Sequence, residues 1–293
     1  MRVTEQMRYD SVSNNLSQLS ARQAKAAQES QTGLRVNLPS DDPIAAAELA
    51  RVRASQGQIG ARRGTITAVR GDAELAESSL QQASDLLATA KDLAMQGGNG
   101  ALAASERAGL ARQVKDLKDQ LVAVANTQGT TGYLFGGSAT QTRPFDNSGA
   151  FSGNDDEHVV DIGNSTPTAV NASGSKAFTA AAGGRDVFAD LDALYTALNT
   201  NDAAGITATL SNLDASRAQL TNAQAGMGIT INKLDASDSV LAAVDQQTST
   251  RKEEIGSADP AKAYATLVQL NNSLQQSATV SKNILDLAAF KQF

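Results

Sequence analysis

The run ITAVRGDAELAESSLQQASDLLATAKDLA, residues 66–94, sets Ile66, Val69, Ala73, Ala76, Leu80, Ala83, Leu87, Ala90 and Ala94 on heptad positions without a break. A stripe at that spacing covers one face of a helix and needs another helix to bury it. Upstream, Asp42 followed by Pro43 is a favoured helix start, with the aspartate as N-cap and the proline at the first helical position. The spacing therefore predicts a helix from Ile44 to about Met95, on the order of 75 Å long at ~1.5 Å per residue. Gly60 and Gly64 are the points where it could bend. Downstream, Gly97-Gly98-Asn99-Gly100 reads as a turn. Ser105 is then expected to cap a helix carrying Leu110, Val114, Leu117, Leu121 and Val124 on one side.

Helical spacing returns after the middle of the chain at Phe188, Leu191, Leu194 and Leu198. It continues at Ile206, Leu210, Leu213, Leu220, Met227, Ile231, Leu234 and Leu241, with Arg217, Gln224 and Asp238 on the same stripe. Polar groups at such positions fix register at some cost in stability. Both chain ends carry weaker stripes. Tyr9, Val12, Leu16, Leu19, Gln23 and Ala26 line one face at the start. After a second Asp-Pro start at Asp259-Pro260, Ala263, Leu267, Leu270, Leu274, Ala278, Ser281, Leu285 and Ala288 line another. These incompletely apolar stripes are expected to pair with one another or with identical chains. Val12, Leu16, Leu19, Leu267, Leu270, Leu274 and Leu285 are the candidate assembly residues, and Pro39, Ser40, Asp41, Asp42 and Pro43 form the helix-start motif.

Between about Thr130 and Gly184 the pattern changes: glycine, Asn, Ser and Thr cluster around short runs such as Val159-Val160-Asp161-Ile162. The stretch reads as a small β-rich insert. Tyr133, Phe135, Phe145, Phe151 and Phe178 gather there, where the helical stripes stop. Since about 50 residues is marginal for an independent core, the insert is expected to lean on the helices or on neighbours. Its removal cuts no heptad stripe, so it is expected to be dispensable for the helical body. The fold class is thus mainly α: a long heptad-patterned helical bundle built from both chain ends, with a small β-rich domain inserted mid-chain. The corresponding divisions are terminal helices over 1–38 and 256–293, a long-helix bundle over 39–135 and 185–255, and the insert over 136–184.

The chain has 293 residues with 25 basic and 31 acidic side chains, a net charge of −6. That balance argues against sequence-independent nucleic-acid binding. With no cysteine and a single histidine, thiol chemistry and Cys- or His-rich metal sites are excluded. The first residues lack a continuous apolar segment of the kind a cleaved secretory signal needs, and nowhere do about 18 apolar residues run together as a membrane span requires. Aromatic residues make up 4% and tryptophan is absent, so aliphatic and small side chains do most of the burying.

Candidate chemistry is sparse. Gly132 and Gly137 have the spacing of the outer glycines of a phosphate-binding loop, but Ser138-Ala139 stands where lysine and a hydroxyl residue are needed. Asn154-Asp155-Asp156-Glu157 beside His158 is the best place for a metal or an acid–base pair. Consecutive residues of an extended segment point to alternate faces, however, which favours a solvated acidic loop. Neither catalytic groups nor a cofactor are expected.

Residues 32–47, Thr-Gly-Leu-Arg-Val-Asn-Leu-Pro-Ser-Asp-Asp-Pro-Ile-Ala-Ala-Ala, resemble the flagellin superfamily of bacteria, in which a terminal helix leads through Gly-Arg-Val/Ile-Asn into an Asp-Asp segment and a long helix. With Pro39 and Pro43 bracketing Ser40-Asp41-Asp42, the stretch is more similar to the hook–filament junction branch than to filament flagellins. Gly132-Tyr133-Leu134-Phe135-Gly136-Gly137, with Thr142 and Pro144-Phe145 following, is similar to that branch's exit into its outer domain. The resemblance implies a secreted structural adapter, exported through the flagellar type III channel and assembled as a ring at the hook–filament junction. Its implied partners are identical copies, the preceding hook-associated protein, flagellin and an export chaperone, with no membrane or nucleic acid. The rival readings are a flagellin filament subunit and a cytoplasmic coiled-coil signalling or scaffold protein.

Overall fold

The computed structural model describes residues 2–163 and 167–290, with side chains described for all of these except residues 2–5, 8, 182 and 284–290. In chain order the elements are helices α1 (Arg2–Thr32), α2 (Pro43–Gly97) and α3 (Ala104–Ala125), strands β1 (Val159–Asp161) and β2 (Pro167–Ala169), then helices α4 (Gly174–Phe178), α5 (Val187–Asn199), α6 (Ala203–Gly256) and α7 (Pro260–Phe290). The fold is mainly α. None of the described helices is long and apolar enough to cross a membrane. The contacts separate into two compact units: Ile59–Ala243 forms one, and the described residues up to Gln58 and from Val244 form the other.

In the Ile59–Ala243 unit the heptad stripe of α2 is core. Ala76, Leu80, Ala83, Leu87, Ala90 and Ala94 are buried together with Val114 and Leu121 of α3, Leu191, Leu194 and Leu198 of α5, and Ile206, Leu213 and Leu220 of α6. Polar pairs set the register of α2 against α6. Asp238 accepts from Arg63 Nε at 2.8 Å and Nη2 at 3.2 Å, Asp235 from Arg70 Nη1 at 3.1 Å, and Asp214 from Lys91 Nζ at 2.7 Å. Each step up α2 meets a step back down α6, which is an antiparallel pairing. Gly60 and Gly64 lie within α2, which continues through both.

The first residue of α3 is Ala104, and Ser105 lies inside it instead of capping it. Glu106 takes over the role, its carboxylate accepting from the Ala103 backbone N–H at 2.9 Å. This is the back-reaching half of a capping box, in which an acidic third residue satisfies a donor that the cap residue leaves free.

Among the described residues, the regular β structure of the insert is one antiparallel two-stranded ladder, pairing Val159 with Ala169, Val160 with Thr168 and Asp161 with Pro167. The rest is turns and irregular backbone, with the short helix α4 and a 3₁₀ turn at Ala181–Gly183. The insert's phenylalanines Phe145 and Phe178 nevertheless belong to the core cluster of the helices, as the expectation that it leans on them requires, and this packing argues against its being dispensable. Phe135, Phe145 and Phe178 have no exposed surface and Phe188 of α5 is 2% exposed. Phe178 meets Phe135 edge-on at 5.3 Å and lies 6.0 Å from Phe188, while Phe145 is 5.4 Å from both Phe178 and Phe188. Ile162 and Val170 are buried in turn with Ile59, Ile66, Leu234 and Leu241. A segment too short for a core of its own completes one supplied by helices.

Backbone polar groups of the insert are held by side chains from the helices. Asn126, at the end of α3, accepts from the Phe145 N–H and donates to the Phe145 carbonyl, both at 3.0 Å. Gln219 of α6 accepts from the Arg185 N–H at 2.7 Å and shares its amide donors among the carbonyls of Ala177, Thr179 and Arg185 at 3.1 Å. Asp190, 5% exposed, is gripped by Arg185 through Nε at 2.7 Å and Nη2 at 2.5 Å and by Ser216 at 2.6 Å. A buried carboxylate is tolerable only when its lone pairs are satisfied in this way.

Candidate assembly surface

The unit that joins both chain ends is built on α1 and α7, which pack against each other. Near the base of the pair, Ala26 and Ala263 are buried, at 5% and 6% exposure. Further along, Val12, Leu16 and Leu19 of α1 and Leu267, Leu270 and Leu274 of α7 are half-buried. Gln23 Nε2 donates to Asn271 Oδ1 across the pair at 2.8 Å. Such a bond specifies register, because slipping by one turn would strand two amides. Of the sequence-derived assembly residues, Leu285 lies outside those whose side chains are described.

Tyr9, read from spacing as part of the α1 stripe, is 61% exposed. Met7, Leu38, Ile44, Tyr264 and Val280 add to the exposed apolar surface of this unit, and Ile44 is 83% exposed. Sequence reasoning missed Ile44 and Tyr264 as surface. Tyr264 falls beside the Leu stripe of α7, whereas Ile44 follows Pro43 in the first turn of α2, where burial has no periodic signature.

The helix-start motif is a clasp between the two linkers of this unit. The Arg35 N–H donates to the Gly256 carbonyl at 2.8 Å and the Ala258 N–H to the Gly33 carbonyl at 2.9 Å, with Leu34 bridged antiparallel to Ser257. Arg35 reaches Asp42 Oδ2 at 2.9 Å and the Ile255 carbonyl at 2.8 Å. Asp42 Oδ1 accepts from the Ala45 N–H at 3.0 Å, capping α2 just before Pro43. Asp41 Oδ2 accepts from the N–H groups of Asn37 and Leu38 at 3.1 and 2.8 Å, and Lys25 lies 3.2 Å from its other oxygen. Pro39 and Ser40 form the exposed turn between these bonds. The Leu38 N–H and the Lys25 ammonium hold the Asp41 carboxyl below the usual carboxylate range. The Ala45 N–H and the Arg35 guanidinium do the same for Asp42. Gly33 ends α1 at φ +67°, a left-handed conformation suited to glycine.

The charged groups of the clasp are bonded to one another and to backbone. Among the described residues no group of three or more His, Asp or Glu side chains could hold a metal ion. The acidic run beside exposed His158 is spent on local bonds, Asp156 accepting from Ser138 at 2.7 Å and Asp155 from Ser173 at 2.7 Å.

The family model of the bacterial flagellin N-terminal helical region matches residues 3–140. Flagellar hook-associated protein 3 of Salmonella typhimurium is 27% identical over 180 residues, 61% of this chain and 57% of that protein. The Escherichia coli protein of the same name is 27% identical over 213 residues, 68% of this chain and 67% of its own. Over much of the fold the chain is similar to the solved structure of flagellar hook associated protein-3 from Legionella pneumophila. That likeness has a TM-score of 0.61 at 15% identity, covering 70% of this chain and 98% of the other. Over residues 3–140 the chain therefore matches the bacterial flagellin N-terminal helical region, and over about two thirds of its length it is similar to flagellar hook-associated protein 3.

Proposed function

We propose that this chain is a structural subunit of the bacterial flagellum, an adapter that joins the hook to the flagellin filament. The observation that carries the reading is the α1 and α7 pair, drawn from opposite ends of the chain, whose leucines are only half-covered by each other. Half-covered leucines gain further burial, ~25 cal/mol per Å², when neighbouring copies close over them. Residues 1–38 and 256–293 would form the inner assembly domain, 39–135 and 185–255 the long-helix bundle, and 136–184 the outer face. The partners in this reading are identical copies in a ring, the preceding hook-associated protein on one side, flagellin on the other, and an export chaperone before secretion.

Immunogold labelling of intact flagella, in a strain whose own copy is deleted and then restored, tests the reading. Label confined to a band at the hook–filament boundary is the expected result. Label along the whole filament would favour a filament subunit, a reading to which the flagellin N-terminal match over residues 3–140 lends support. Retention inside the cell would favour a cytoplasmic scaffold.

A further inference from the structure

We infer that Asn99 is a self-modification site: the folded turn between α2 and α3 is arranged to promote conversion of its side-chain amide to aspartate and isoaspartate. Asn99-Gly100 is the only Asn-Gly pair in the sequence. Both residues are exposed, and a Cβ placed on Gly100 would meet nothing within 4 Å, so solvent base and water reach this peptide. In the reaction a base removes the Gly100 N–H proton and the nitrogen attacks Cγ of Asn99. Ammonia leaves to close a five-membered imide, and water then opens the ring at either carbonyl.

Two negative charges develop on the way, and each has a donor in place. Deprotonating the Gly100 nitrogen spreads charge onto the Asn99 carbonyl oxygen, which accepts from Arg107 Nη2 at 2.7 Å and from the Leu102 N–H at 3.0 Å. The attack on Cγ puts charge on Oδ1, which accepts from the Ala101 N–H at 3.1 Å. The ring closed by that bond contains both Cγ and the Gly100 nitrogen. Fixed donors aimed at developing charge lower a barrier without reorganisation. Arg107 is 5% exposed and held in place by the Gly97 carbonyl at 2.7 Å and by Asn201. Its described acceptors are all carbonyl oxygens. Opening the ring at the former backbone carbonyl gives isoaspartate and converts the group that Arg107 holds into a carboxylate, so isoaspartate is the favoured product.

The test compares the folded full-length chain with a synthetic peptide covering residues 92–106 in the same mildly alkaline buffer at physiological temperature. Peptide mapping by mass spectrometry follows the unit mass gain from replacing NH2 by OH, and separates isoaspartate from aspartate. Modification about tenfold faster in the folded chain is expected, the scale of one charge-assisted hydrogen bond to a developing anion. A folded rate equal to or below that of the peptide overturns the proposal. Arg107→Gln, if its circular dichroism stays native, should remove most of the acceleration, and retention of the full folded rate would also overturn it. Where that variant fails to fold, the comparison of chain with peptide decides alone.

Discussion

Truncating Phe178 to alanine separates two accounts of the insert. If residues 136–184 were an appendage, losing a ring there would leave the helices untouched. In the structure Phe178 has no exposed surface and packs against Phe135, Phe145 and Phe188, the last on α5. The void left behind is walled by rings that are themselves pinned, Phe145 by Asn126 through its backbone, so collapse is restricted. Buried Phe→Ala changes cost about 3–5 kcal/mol where the site cannot relax. For a cooperative unit the size of Ile59–Ala243 that corresponds to a fall in melting temperature of roughly 6–20 °C. Thermal unfolding followed by far-ultraviolet circular dichroism reads it directly, because the signal comes from the helices. Phe178→Leu, which keeps most of the volume, should recover the greater part of the loss. A helical transition unmoved by Phe178→Ala would refute the claim that the insert and helices share one core.

Leu274→Asp, at a half-buried position on α7, is expected to abolish motility while shifting the main thermal transition little. Leu121→Asp, at a position with no exposed surface, should lower that transition sharply, since an unpaired buried carboxylate costs about several kcal/mol; equal shifts in the two would count against an assembly role for α7. Gln219→Ala leaves the Arg185 N–H and the carbonyls of Ala177 and Thr179 without their side-chain partner, and should cost about 2 kcal/mol in urea unfolding. For the clasp, Asp41 and Asp42 have folded pKa values below those of the unfolded chain. Their contribution is therefore complete above about pH 4 and is lost as pH falls through the lower folded values. Hydrogen exchange at the Leu38 and Ala45 amides should show protection that survives to about pH 4 and fades below it; protection unchanged in strong acid would show that the two carboxylates do not hold the clasp.

Helical elements were legible because a heptad stripe is a local record of a long-range fact: residues that must face a partner recur at the helical period. Asp42-Pro43 could likewise be read as a helix start, since capping involves residues within one turn of each other. Ser105 shows the limit of that logic: residue type named it as the cap, whereas the helix starts one residue earlier and Glu106 reaches back to the Ala103 N–H. Tyr9 shows another limit. Spacing places a residue within a stripe, but whether a partner covers it is decided by tertiary packing.

The sequence alone determined the mainly helical class, the two Asp-Pro helix starts, the apolar faces and the lack of thiol chemistry, all of which follow from composition or from relations within a few residues. The tertiary structure decided that the insert's phenylalanines finish the helical core, that Arg35 ties its own linker to the Ile255 carbonyl, and that Arg107 rests on the turn holding Asn99. Each of these joins groups whose meeting depends on how whole helices pack and turn. A contact that closes only when distant elements reach their final positions leaves no periodic trace in the chain.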